Sequence, residues 1–533
     1  MKSIFFGEKK AVVLGLVLIL LMGAFLRFYR LGNQSLWTDE ISGTLIAGSN
    51  LSEIFSRNLS PDKADIPVEE PPLQYFLMHY SLRLSENEFM ARLPSAFFGI
   101  LSILAIFLVA RLFFGNSTAL VSSFLLSISF YHILYSQEAR GYSAHLLFSL
   151  LSLFFIWKAA NRGGIRNWIG FSVATTLNIY SHYSAFQVFA VESLIFVLLL
   201  CCFKHQISFP PSNRERIIGY SLSTFVTGVL SLPLLGNFLQ VMNSRLGGTT
   251  IAFELNPQYF ANLLARYGAG NGVAFYVYNV FFLLGVIWAF VSNRKKESAA
   301  AILWLIFPFV VLTITGYKYF FHIRYVMFTF PIYLVMVANG LVGTFQSKVF
   351  KDIVQRSFFW DWKWAGWIYG AACLSVLGAF SIAPLNLYYR MPARMTDWKG
   401  IAAYIKENYE SGTLILIESS FCVRELGYYL KDAKPRIKVE SVNGDINRFK
   451  TTVSQFDRVW YVDSNPVFDS IVLDLFKDRI TFASPVFAEL GRRELIDWDG
   501  SWFPASNIRR YYPTLYYNNV HHNKNLSVDL RQR

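Results

Sequence analysis

Residues 11–40 read AVVLGLVLILLMGAFLRFYRLGNQSLWTDE. The apolar stretch over 11–29 is long enough to cross a bilayer as a helix. Within a dozen residues of its end stand two adjacent carboxylates, Asp39 and Glu40, in Leu36-Trp37-Thr38-Asp39-Glu40. The residues before it, Met1 to Lys10, are short and basic, as in a signal peptide. The apolar stretch exceeds a typical signal core and no small-residue cleavage site follows, so an uncleaved anchor is expected.

The remainder of the chain continues the pattern. Of its 533 residues 54% are hydrophobic and only 16% charged, with a mean hydropathy of +0.36. A soluble domain carries about 25% charged residues, so a polytopic helical membrane protein is expected. Further spans are read at 93–113, 117–135, 141–157, 166–181, 183–203, 217–236, 274–292, 298–315, 324–343 and 364–383, eleven in all with the first. With a cytoplasmic N-terminus, the inner loops hold Lys158, Arg162 and Arg166, then Lys204, Arg214 and Arg216, then Arg294, Lys295 and Lys296, then Lys348, Lys351, Arg356 and Lys363. This is the positive-inside distribution. It accounts for most of the net charge of +14 and argues against nucleic acid as a partner. It also turns 30–92, 136–140, 237–273, 316–323 and everything beyond 384 outward, in a plasma or inner membrane. The four cysteines have no metal-ligand spacing.

Three outward stretches have helical apolar spacing but are too short to span: 51–59, 73–84, and a helix starting at Pro257 with Tyr259, Phe260, Leu263, Leu264 and Tyr267 on one face. They suit the membrane interface. From 384 the composition changes to that of a small α/β domain over 384–517. Helices are expected at 397–408, 424–431 and 467–477, strands at 414–418 and 458–463, and a polar tail at 518–533.

Four groups of residues on the outward side can carry chemistry. Asp39-Glu40 is the first. The second is Tyr135-Ser136-Gln137-Glu138-Ala139-Arg140-Gly141-Tyr142, a short turn between two spans; it reads equally well as a structural ion pair. The third is Tyr317-Lys318-Tyr319-Phe320-Phe321-His322-Ile323-Arg324-Tyr325. Its cations run against the positive-inside bias and suit an anionic ligand: arginine grips phosphate with two parallel hydrogen bonds and lysine acts as a point charge. The fourth is Glu69-Glu70-Pro71-Pro72 with His79 beyond it, where Glu70 and His79 are candidate ligands for a divalent metal, without a compact ligand spacing.

Taken in order, Leu-Trp-x-Asp-Glu after a first span, Pro-Pro-Leu-x-Tyr, Ala-Arg-Leu-Pro-Ser-Ala, Tyr-Ser-x-Glu-Ala-Arg-x-Tyr, and a late Arg-Tyr before Pro331 resemble the GT-C membrane glycosyltransferases. The branch resembled is that of the protein O-mannosyltransferases and lipid A aminoarabinose transferases, over roughly residues 11–343. The segment opening at Asp397-Trp398-Lys399 is similar to the soluble domain that follows the membrane region in bacterial members. The resemblance implies a polyprenyl-phosphate-linked sugar as donor, an extracytoplasmic acceptor (lipid, glycan or protein hydroxyl) and inversion at the anomeric carbon. It implies Asp39 at the catalytic centre with Glu40 and Glu138 as supporting carboxylates, and Arg140, Lys318 and Arg324 on the phosphate side. Tyr325, Glu70 and His79 are supporting candidates. Glu70 stands where many relatives carry His, which weakens a metal role there. The Trp-Trp-Asp motif of oligosaccharyltransferases is absent.

The chemistry fits these residues. A sugar phosphate already has a good leaving group, so the reaction needs a base for the acceptor hydroxyl and cations for the departing phosphate. Asp39 is expected as base, with Arg324 and Lys318 as the clamp. The alternative is a transporter or flippase of lipid-linked sugars, which would need polar groups along a path through the spans; ionisable residues inside the spans are few.

Overall fold

The computed structural model describes residues 2–59, 70–202, 211–246, 257–270, 272–314, 323–347, 352, 362–390, 397–408, 413–417 and 420–431. Further along it describes 436–439, 451, 455, 458–463, 478–481, 495–496, 502–503 and 514–519. The chain forms two compact units. The first comprises Met1–Leu31 and Gly43–Tyr389, the second Gly32–Ser42 and Arg390–Arg533.

The first unit is helical. It contains α1 (Lys2–Phe28), most of α2 (Thr38–Gly48), α3 (Leu51–Leu59), α4 (Leu73–Leu82), α5 (Glu88–Phe114), α6 (Asn116–Ile128) and α7 (Phe130–Ser136). After these come α8 (Tyr142–Arg162), α9 (Ile165–Ile179), α10 (Ala185–Cys201), α11 (Asn213–Ser231), α12 (Leu235–Leu246), α13 (Pro257–Tyr267) and α14 (Val273–Val291). Then follow α15 (Lys295–Ile314), a tight 3-10 segment Ile323–Thr329, α16 (Phe330–Gln346) and α17 (Trp362–Arg390). Each segment read as a span falls on helix. By length and apolarity, however, seven of the described helices qualify as crossings, or eight with the bent pair α6–α7 counted as one. Helices such as α9, with 15 residues, are shorter than a bilayer requires. The helix of the last segment continues through Pro384 to Arg390, so the first unit ends later than the change in composition at 384. A proline inside a span bends a helix without ending it when neighbours satisfy the freed backbone groups.

α1 exposes Val13, Leu14, Val17, Leu18, Leu21 and Phe25, and α14 exposes Val280, Leu283 and Ile287. Such stripes are untenable in water and ordinary against lipid. An 18-residue window within Ile323–Gln346 is by contrast buried throughout. α14 and α16 meet through glycines: a Cβ at Gly285 would collide with the Met336 carbonyl oxygen, and one at Gly340 with that of Phe281. Asn339 Nδ2 donates to the Gly285 oxygen at 3.0 Å across this contact. Small residues and a polar bond between backbones hold helices together where lipid leaves no hydrophobic drive.

α6 and α7 meet at a 62° bend at Ser129. The bend leaves carbonyls of the last turn of α6 without helical partners. Arg27, fully buried at the end of α1, donates to the oxygens of Ser127 (2.9 Å) and Leu126 (3.1 Å) and bonds His132 Nδ1 at 2.6 Å. Both terminal nitrogens of the intramembrane arginine are thereby engaged, and they fix where α7 starts. Gln137, just past α7, donates to the oxygens of Arg27 and Tyr29, both at 2.9 Å. The turn carrying Glu138 and Arg140 is thus tied to α1.

The second unit holds the acidic loop Gly32–Ser42 and the C-terminal α/β domain. α18 (Trp398–Asn408) buries Trp398, Ile401, Ala402 and Ile405 at helical spacing. Gly400 N donates to Asp397 Oδ1 at 2.9 Å, capping its start. β1 (Leu414–Ile417) is an apolar run buried along its length, as suits a central parallel strand. α19 (Ser420–Leu430) joins it to β2 (Arg436–Val439). β3 (Arg458–Asp463), β4 (Asp478–Thr481) and β7 (Thr514–Asn519) complete a five-stranded sheet of order β2-β1-β3-β7-β4, parallel at β2-β1-β3 and antiparallel beyond. β5 (Leu495–Ile496) and β6 (Trp502–Phe503) pair separately. The expected polar tail from 518 is corrected at its start: Asn518 and Asn519 pair with Val459 and Arg458. The polarity of that stretch hid a strand whose backbone is satisfied by the sheet. The helix expected at 467–477 lies outside the described residues.

Candidate active site

In the first unit the turn after α7 and the 3-10 segment before α16 come together. The segment is rigid because its carbonyls are claimed: Tyr267 Oη donates to Val326 O at 3.1 Å and bonds Thr329 Oγ1 at 2.8 Å, while Trp304 Nε1 donates to Phe328 O at 2.9 Å. Arg324 projects from it, 5% exposed. Its guanidinium lies 5.4 Å from the ring centre of Tyr142 and 5.7 Å from that of Tyr325. Cation–π contact of this kind holds the plane of an arginine without neutralising it. Tyr135 and Glu138 are near enough to act on it electrostatically. His182 packs against Tyr142 and Tyr325, with ring centres 5.3 and 5.7 Å apart. Gly141 admits no side chain, since a Cβ there would strike the Ser181 oxygen.

Arg140 and Glu70 form a buried ion pair, Nε to Oε1 at 2.8 Å, with side chains 8% and 4% exposed. Both act on Tyr142, as does Arg324. Arg140 is also held by its backbone, whose oxygen accepts from Ser95 Oγ at 3.1 Å; Gln74 Nε2 donates to that hydroxyl at 3.0 Å. Removing one partner of such a pair leaves a buried charge, at a cost of about 3–5 kcal/mol. Glu70→Ala is therefore expected to lower the thermal midpoint of the purified protein more than the double substitution Glu70→Ala with Arg140→Met does. Midpoints read by fluorescence-detected size exclusion check this.

Glu70 pairs with Arg140, and His79 Nδ1 bonds the Ala47 oxygen at 2.8 Å near the end of α2. Among the described residues no three His, Cys, Asp or Glu side chains gather as a metal set. Lys318 lies outside the described residues. The sequence reading also passed over Arg266 on α13, 9% exposed and within electrostatic range of Tyr131. Its signal was an arginine on the amphipathic outward helix starting at Pro257.

In the second unit the two opening carboxylates stand in different surroundings. α2 begins at Thr38, which makes Glu40 the third residue of its first turn. Glu40 is 1% exposed, and its Oε2 accepts from Trp37 N at 3.3 Å. That is one half of a capping box, and glutamine serves equally at this position. Asp39, at the second position, is only partly buried. Glu40→Gln is expected to retain activity to within about tenfold, because one such hydrogen bond contributes about 1 kcal/mol. Initial rates measured beside those of Asp39→Asn check the distinction. Around the loop, Leu36 N donates to Tyr429 Oη at 2.8 Å, Arg424 Nη1 to Ser42 Oγ at 2.9 Å, and Lys399 N to Ser35 Oγ at 3.2 Å. Nothing in the spacing of the sequence joins these residues to the loop.

Residues 69–209 match the family model described as dolichyl-phosphate-mannose-protein mannosyltransferase. An uncharacterized protein of Aquifex aeolicus (strain VF5) is 24% identical over 397 residues, 71% of each chain. Among solved structures, ArnT from Cupriavidus metallidurans in the apo state aligns with a TM-score of 0.56 at 13% identity, over 96% of this chain and 99% of that one. ArnT bound to undecaprenyl phosphate gives 0.55 at 12% identity, over 95% and 98%. The oligosaccharyltransferase AglB from Archaeoglobus fulgidus, in complex with an inhibitory peptide and a dolichol-phosphate, gives 0.51 at 11% identity, over 85% and 69%. At these identities the likeness establishes the fold: the chain has the GT-C fold.

Proposed function

We propose that this multi-pass membrane protein of GT-C fold is a glycosyltransferase moving a sugar from a polyprenyl-phosphate carrier to an extracytoplasmic hydroxyl on a lipid, glycan or protein. The observation that carries the reading is the buried Arg324, held between Tyr142 and Tyr325 beside the Arg140–Glu70 pair. A buried guanidinium oriented against two tyrosine rings offers the planar fork that grips a phosphate. ArnT binding undecaprenyl phosphate on a related fold, and a family model named for dolichyl-phosphate-mannose, support the same donor class.

In this mechanism the bond between the anomeric carbon and the phosphate oxygen breaks, and its electron pair leaves on the polyprenyl phosphate. Arg324 stabilises the charge growing there, assisted by Arg140 and Lys318. The acceptor oxygen forms the new glycosidic bond and its proton passes to the Asp39 carboxylate. A single displacement inverts the anomeric configuration. Glu138 holds the orientation of Arg324; Tyr325 and Tyr142 wall it. Glu70 tempers Arg140, and His79 fixes the end of α2. The N-terminus is cytoplasmic, so the chemistry takes place on the outer face.

The test is reconstitution. Purified protein in liposomes supplied with undecaprenyl-phosphate-linked mannose and a membrane extract as acceptor source is expected to release undecaprenyl phosphate and yield a glycosylated product. Protein that moves the lipid-linked sugar across the bilayer without cleaving it would establish the transporter instead. Mass spectrometry of glycolipids and glycoproteins from a deletion strain then names sugar and acceptor.

A further inference from the structure

The acidic loop Gly32–Ser42 is hydrogen-bonded to two helices, α18 and α19, that lie 364 to 394 residues further along the chain. Tyr429 on α19 accepts the Leu36 N–H, and the Ser35 hydroxyl lies 3.5 Å from the same oxygen. Arg424, one helical turn earlier, reaches Ser42. From α18, the Lys399 N–H binds Ser35. Between Arg424 and Tyr429 lies Glu425, 1% exposed, with Thr38 and Asp39 of the loop among the groups acting on it. Leu36, Trp37 and Ile41 of the loop are buried, so the loop is packed as well as bonded.

We propose that α19 is a positioning element for Asp39: Tyr429 and Arg424 fix the backbone on either side of it, and Glu425 stands beside it as a second carboxyl group. The inference rests on the reading of Asp39 as the base. It assigns the C-terminal domain a part in the reaction through Asp39, without contact with the substrate.

Glu425 gives this arrangement a pH dependence. Burial pushes its carboxyl above the ordinary range and Asp39 adds to the rise, while the Thr38 hydroxyl and Arg424 oppose it. A carboxyl raised in the folded state stabilises fully below its unfolded value, and that contribution is lost as pH climbs through the folded value. The loop is therefore held best with Glu425 protonated and loosens as a second negative charge forms beside Asp39. Glutamine, neutral at every pH, removes the dependence.

Hydrogen exchange of the full-length protein in lipid nanodiscs, across pH 5 to 8 and corrected for intrinsic rates, decides the matter. In the wild type, protection of the Gly32–Ser42 amides is expected to fall as pH rises. Glu425→Gln is expected to give protection that is flat with pH, and Glu425→Asp to restore the slope. Tyr429→Phe, which deletes the acceptor of the Leu36 N–H, is expected to lower protection about fivefold at every pH. With undecaprenyl-phosphate-linked mannose as donor, Tyr429→Phe is expected to lower kcat and leave the donor KM unchanged. Exchange in Tyr429→Phe equal to wild type, or a wild-type slope in Glu425→Gln, overturns the proposal. Full transfer activity in Asp39→Asn would instead overturn the assignment of the base, while the exchange data would still establish or refute the clamp.

Discussion

Asp39→Asn is expected to lower the rate of sugar transfer by about 10²–10⁴-fold, the range by which a positioned general base accelerates a reaction. The effect should fall on kcat and kcat/KM together and leave donor affinity nearly unchanged, because the lost interaction is made in the transition state. Asparagine preserves the shape of the side chain and its place in the first turn of α2. A loss of activity without a loss of folding then reports the missing base. Initial rates in proteoliposomes, with monodispersity as the folding control, decide it. A mutant within a few-fold of wild type would return Asp39 to the status of a helix-start residue, like its neighbour Glu40.

Arg324→Gln is expected to cost about 10²–10³-fold in kcat, as removal of one group that stabilises developing charge does elsewhere. The donor should also bind more weakly, since the guanidinium meets the phosphate in the ground state as well. Lysine should recover only part of the loss: it restores the charge but not the planar fork, nor the stacking between Tyr142 and Tyr325. Donor titration of the three proteins separates the two contributions. If glutamine and arginine bound the lipid-linked sugar alike, the phosphate would have to be met elsewhere, by Arg140, Arg266 or Lys318.

Apolar length and helical spacing made most of the helices legible, because a lipid-embedded backbone can only be satisfied inside its own helix. The same rule could not supply the number of crossings: short apolar helices such as α10 also satisfy their own backbone without the length of a clear span. In the candidate site, the Tyr135-to-Tyr142 turn and the Arg324-Tyr325 pair were visible as charges in unexpected places. Their division of labour was not. Arg140 and Glu70 pair across 70 positions, and Arg324 lies against the rings of two tyrosines. Glu40, expected as a supporting carboxylate, stands at the third position of α2 with its carboxylate on the Trp37 N–H.

The amino-acid sequence by itself determined that this chain lives in a membrane, which segments become helices and which residues are worth testing, since all three follow from local composition and spacing. Only the tertiary structure decided which charge answers which, and that the loop after the first span belongs to the same compact unit as the C-terminal domain. Partners such as Leu36 and Tyr429 are 393 residues apart. No local periodicity encodes a hydrogen bond between two such residues; packing alone brings them together.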